Sequence, residues 1–339
     1  FDQDLSDWNA WDEADADNMF KGSPMECKNE FHPPALDIST CSPTTSPTLS
    51  PTLFPTVSPT SFPTVSPTFF PTTSPTVSPT ILLTGCPPTP VNRANLLSHI
   101  EYYISTGDTS GCPNVTIGSW NTSLITDMSN IFENRNNFNE SLTEWNTSQV
   151  TTMEGMFKGA TALDQPLEHF DMQNVQSTAS MFQFTRNFNH PVGDWSVSKV
   201  TDMSEMFYDT HTFNSPLNNW NTSKVTTMKS MFKYAANFDQ ELNHFDVGMV
   251  TSFDEMFVFA KFNQNLDNWD VTSLTTTNNM FFGAQFNKNI GNWDVENINV
   301  FVNMFYNSPF DQDLSAWNAS GSAIANNMFK NTPMECKDE

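Results

Sequence analysis

The side chains in this chain that are capable of chemistry recur at fixed intervals, and the interval says more than any single residue. Five cysteines are present, and none forms a C-x-x-C pair, so zinc or redox use is not suggested. Cys86 and Cys112 bracket a helix-forming stretch, and Cys27 and Cys41 bracket the entry to a Pro/Thr-rich stretch. Disulfides Cys86–Cys112 and Cys27–Cys41 are predicted, each closed loop contributing a few kcal/mol. Cys336 matches Cys27 in a duplicated segment, so its partner is expected beyond Glu339.

Two columns of polar residues are the next candidates. One is Asn139, Asn189, Asn214, Asp239, Asn263, Asn287 and Asp311; the other is Asn146, Asp171, Ser196, Asp246, Asp270 and Asp294. Clustered carboxylates and amide carbonyls suit calcium. Asn and Asp also bond turn backbone, and without a D-x-D-x-D-G loop the expected role is a ladder between neighbouring turns. No cofactor is expected, calcium being the one candidate these residues admit. Asn114, Asn121, Asn139, Asn146, Asn221 and Asn318 head N-x-S/T sequons and are glycosylation candidates, those beside Trp being expected in more buried positions. His169, His190, His211 and His244 are scattered without metal-ligand spacing, no Ser/His/Asp or Cys/His set is suggested, and 12 glycines are too few for a phosphate loop. Nothing argues for an enzyme.

The positions of these residues are set by a tandem repeat. Trp120, Trp145, Phe170, Trp195, Trp220, Phe245, Trp269, Trp293 and Trp317 are spaced by 25 residues five times and then by 24 three times. Leu217, Trp220 and Thr222 read as a short strand. Val225, Met228, Met231, Phe232 and Ala235 follow at i, i+3, i+6, i+7 and i+10, the spacing of a helical face. Trp145, Trp195, Trp220, Trp269, Trp293 and Trp317, with Met156, Phe157, Met206, Phe207, Met231 and Phe232, are therefore expected in the core rather than in a sticky groove. The position two after the Trp column mixes Thr with Val197, Val247, Val271 and Val295, which argues against a flat exposed Thr row for ice or mineral. A unit of about 25 residues cannot bury enough apolar surface alone, so stacking is required.

Ahead of the array, Pro90 to Ile104 carries Leu96, Leu97, Ile100 and Ile104 at helical spacing, the expected N-terminal cap. Ser42 to Thr80 repeats Pro-Thr every four residues, which leaves extended polyproline II as the available conformation, a mucin-like stalk of roughly 100 Å. Phe1–Glu30 matches Phe310–Glu339 at constant offset, so the chain is expected to open on the end of a preceding array in a longer tandem protein. The expected organisation is 1–41 the end of that array, 42–85 the stalk, 86–114 the cap, and 115–339 about nine repeats. Formal net charge is -24, with 14 Lys and Arg against 38 Asp and Glu, the wrong sign for nucleic acid or anionic lipid. No apolar run approaches the roughly 18 residues that span a bilayer.

The recurring string VTDMSEMF, with FNSPLNNWNTSKVT following, resembles the BspA-type leucine-rich-repeat surface proteins, some of them from diatoms, over Val115 to Phe329. The resemblance implies a right-handed α/β solenoid of leucine-rich-repeat type, with one short strand and one short helix per coil. It also implies a secreted or cell-surface protein that binds or adheres without catalysis. The expected function is a binding or adhesion module for protein or glycan partners, with a passive component of wall or matrix as the alternative. The ligand is expected among residues that vary between repeats, such as Lys224 and Lys229.

Overall fold

The structure, a computed structural model, describes residues 89–107 and 115–335, which fall in one compact unit. The preceding array end, the stalk, all five cysteines with both expected disulfides, and Asn114 lie outside the described residues.

The expected cap helix is present as α1, Arg93–Thr106. Asn92 caps it by accepting from the Asn95 backbone N–H, and Gly107 ends it in the left-handed conformation. Leu96, His99 and Ile100 are buried, whereas Ile104, expected on the same face, is exposed. Tyr103 and His99 meet Trp120 edge-on at 5.9 Å each, and Arg93 donates to the Ser129 carbonyl at 2.9 and 2.6 Å. Arg135 pairs with Glu101. The helix thus covers the first repeat with both apolar and charged contacts.

The repeats stack in parallel register. Bridges join Asp127, Thr152, Ser177, Asp202 and Thr227 in succession, and Ser252, Thr276, Val300 and Ile324 likewise. Every core residue expected from the repeat pattern is buried except Trp317, which is partly exposed in the last repeat. The Phe of the Met-Phe pair forms one continuous stack, Phe132, Phe157, Phe182, Phe207, Phe232, Phe257, Phe281, Phe305 and Phe329, with centroids 5.5 to 5.8 Å apart.

The local conformation differs from expectation. No repeat among the described residues contains an α-helix, and Leu217–Thr222 is a turn rather than a strand, the bridges falling instead at Thr227 and its equivalents. The cause is backbone geometry. Each repeat holds two residues at positive φ, four apart, such as Gly155 and Gly159, Glu205 and Asp209, or Asn303 and Asn307. Left-handed residues end a helix, and here they break the chain into successive turns. Alternate N–H groups close those turns, as Met156 to the Met153 carbonyl and Lys158 to Gly155. The groups between them reach the next repeat, as Gly155 to Ala179, Phe157 to Met181 and Gly159 to Gln183. An α-helix would turn all these donors inward along its own axis and leave the neighbouring repeat unbonded.

Candidate functional site

The Trp column needs more than packing, because a buried indole N–H requires an acceptor. Trp145, Trp195, Trp220, Trp269, Trp293 and Trp317 each donate Nε1 to a carbonyl of the preceding repeat, at 2.8 to 3.1 Å. In the two repeats where Phe170 and Phe245 replace Trp, the residue before each is histidine. His169 Nε2 meets the Leu142 carbonyl at 2.9 Å and His244 Nε2 the Leu217 carbonyl at 3.1 Å, the acceptors the missing indoles would have used. The other two histidines have carboxylate partners. His190 sits 3.0 Å from Asp164, and His211 2.7 Å from Asp209, a buried carboxylate that also holds Arg186 at 2.7 Å. Each of the four completes a local polar contact of its own.

The first polar column is the expected ladder. Asn139, Asn189, Asn214, Asp239, Asn263 and Asn287 each accept, through Oδ1, the backbone N–H of the corresponding segment one repeat on, at 2.8 to 2.9 Å. The second column behaves differently. Asn146, Asp171, Asp246, Asp270 and Asp294 bond the N–H two residues ahead in their own turn. Asp270 is held below the usual carboxylate range by the Thr272 hydroxyl and backbone N–H, and Asp313 by the Ser315 backbone and side chain. Among the described residues, no three His, Cys, Asp or Glu side chains converge as a metal site. Asn121, Asn139, Asn146, Asn221 and Asn318 are exposed, including those beside the Trp column that were expected to be buried.

The Thr two after the Trp column, Thr122, Thr147 and Thr222, are buried, as the Val mixture implied. An exposed row runs elsewhere, through Thr126, Thr151, Thr201, Thr226, Thr251 and Thr275. Hydroxyls of Thr151, Thr201, Thr226 and Thr275 donate to carbonyls of the preceding repeat, at 2.9 to 3.2 Å, so they serve the stack.

What the repeat pattern did not reveal is a second row of aromatic rings outside the core. Phe184, Tyr208, Tyr234, Phe259, Phe282 and Tyr306 come from six successive repeats, with centroids 4.8 to 5.7 Å apart. All are at least partly exposed, and Phe259 is 44% exposed. The rings are drawn from two adjacent positions of the repeat, so a search down single columns misses them. Phe184, Tyr234 and Phe259 hold φ of 62, 59 and 51°, where a bulky side chain is strained. Equivalent positions elsewhere carry Asn134, Gly159, Gly283, Asn307 and Asn331, residues that tolerate this conformation. At Gly283 the absence of a Cβ makes room for Phe259, whose ring atoms would lie 2.4 Å from one. Lys233 Nζ stands 5.6 and 5.3 Å from the Tyr208 and Tyr234 ring centres, and Lys330 Nζ stands 5.5 Å from that of Tyr306, within cation–π range.

No curated protein and no solved structure matches the chain. A family model described as "Mycoplasma protein of unknown function, DUF285" matches three successive, overlapping segments, residues 106–200, 190–285 and 258–338. These segments take in every stacked repeat with its Trp or Phe anchor, and the chain belongs to that family.

Proposed function

We propose that the chain is a non-enzymatic binding or adhesion module of a secreted or cell-surface protein, a right-handed solenoid of leucine-rich-repeat type that meets protein or glycan partners along its aromatic row. The observation that carries this reading is the row itself. Six rings stand partly in solvent, and three of them occupy backbone conformations that cost about 1–2 kcal/mol in a non-glycine residue. The core gains nothing from that strain, since Asn or Gly holds the same turn in other repeats. Strained residues that the fold does not require point to function. The likeness of VTDMSEMF and its neighbours to BspA-type surface repeats, and of the Ser/Pro/Thr stretch to the stalk of diatom members, supports the surface setting.

The test is a panel of glycans and surface proteins probed with the full chain, with and without calcium. Saturable binding is expected, and Phe184→Asn with Phe259→Asn should remove it while leaving the melting temperature unchanged or raised. Uniformly negative panels would instead favour a passive component of wall or matrix. Binding untouched by the paired substitution would place the ligand elsewhere, with the exposed Lys224 and Lys229 as the next residues to replace.

A further inference from the structure

One arrangement of side chains occurs twice in the array, two repeats apart, and is completed differently each time. Lys233, Glu255, Ser230 and Tyr234 occupy the repeat positions that Gln183, Glu205, Ser180 and Phe184 hold earlier. In the later copy Glu255 Oε2 accepts from Lys233 Nζ at 3.1 Å and from the Ser230 hydroxyl at 3.0 Å, and the ammonium lies over two rings. In the earlier copy Glu205 Oε2 accepts from Gln183 Nε2 at 2.7 Å and from the Ser180 hydroxyl at 3.4 Å. Carboxylate, hydroxyl and one ring are retained, but glutamine replaces the lysine, and Lys158, which makes no ion pair with Glu205 among the described residues, replaces the second ring.

The consequences are electrostatic. Glu205 is partly buried and pairs with no cation among the described residues. Gln183 is 6% exposed, and its Oε1 is buried without a hydrogen-bond partner among the described residues. A buried acceptor left unpaired is costly, and so is a carboxylate taken partly out of water without a counter-charge. Both deficits are met by the same group, a positively charged donor. Phe184 holds the place that Tyr234 has beside Lys233, and its ring meets Tyr208 of the next repeat edge-on at 5.2 Å.

We propose that Gln183, Glu205 and Phe184 form a seat for an alkylammonium group supplied from outside the chain. Glu205 provides the charge and Phe184 a π face against the adjoining methylenes, and the Gln183 amide, which now donates to Glu205, yields that place to the ammonium and turns its Oε1 to it as the second acceptor. The formal net charge of -24 draws cations toward this surface. The ammonium of a free polyamine and that of a partner's lysine side chain share this chemistry. The inference rests on the reading of the aromatic row as a binding face, of which this seat is the Phe184 end.

The test is calorimetric titration of the full chain at low ionic strength with spermidine and, separately, with the blocked tripeptide acetyl-Gly-Lys-Gly-amide. One-site binding is expected, with Glu205→Gln and Gln183→Lys each weakening it at least about tenfold. Gln183→Lys should also raise the melting temperature, because its own ammonium fills the seat as Lys233 does. Glu241→Gln, which removes an exposed carboxylate elsewhere, should leave affinity unchanged. Binding of spermidine alone assigns the seat to a free polyamine, and binding of the peptide assigns it to lysine. Equal losses for Glu205→Gln and Glu241→Gln would mean general charge attraction, and that result, or no binding of either probe up to about 10 mM, overturns the proposal. Should panel binding still depend on Phe259 while neither amine responds to Glu205, the seat falls and the binding face stands.

Discussion

At the residue scale, the exchange of Trp for a His-Phe pair shows what the Trp column supplies. An indole delivers an apolar body and one donor together, and when the body becomes Phe170 or Phe245 the donor moves to His169 or His244. The preceding carbonyl is buried in the stack, so losing its partner costs about 1–3 kcal/mol. Trp269→Phe should therefore destabilise the chain by about that amount, beyond the smaller packing loss. Adding Asn268→His should recover most of it, since Asn268 precedes Trp269 as His169 precedes Phe170. A denaturant midpoint unmoved by the second substitution would show that the carbonyl bond contributes nothing. This exchange is readable in the sequence, because histidine stands directly before both Phe members of the Trp column. Its meaning is not, because the carbonyl it serves lies 27 residues earlier and only stacking brings it near.

At the scale of elements, α1 closes the first described repeat, where no earlier repeat among the described residues supplies a carbonyl. Trp120 is buried, yet among the described residues its Nε1 has no partner, and neither has His99 Nδ1 beside it. Burial holds the His99 pKa below its ordinary value. The sign then follows. Below about pH 6.5 the unfolded chain binds a proton at this histidine that the docked helix does not, so stability falls as pH drops from about 6.5 toward the lowered folded value. Protection factors, corrected for the intrinsic slowing of amide exchange toward low pH, should fall in α1 and around Trp120 between pH 7.5 and 5.5 while those of the central repeats hold, and His99→Gln should remove that dependence. An equal fall in the variant would assign the effect to the acidic surface as a whole. The repeat interior shows the limit of pattern reading for elements. Met228, Met231 and Phe232 are buried, as their spacing implies, but the same spacing serves a chain of turns as well as a helix.

At the scale of the whole array, contacts run between neighbouring repeats, through the parallel bridges, the phenylalanine stack and the Asn/Asp ladder. Stability of such a stack is close to a sum of nearest-neighbour terms, so removing the last two repeats, from Phe286 onward, should lower the unfolding midpoint in a graded way. Chains shortened from that end should keep the spectrum of the remaining repeats, and total collapse on losing one terminal repeat would contradict neighbour-limited coupling. The sequence by itself determined the period, the positions that are buried and the presence of the cap helix. Those follow from where apolar side chains recur, and burial depends on that recurrence whatever the backbone does between. The tertiary structure decided the rest. Left-handed residues and donors directed to the next repeat replaced the expected helix and strand, and the aromatic row was assembled from two adjacent positions of the repeat. Both outcomes depend on partners about 25 residues away, and a local pattern carries no information about what that neighbour offers.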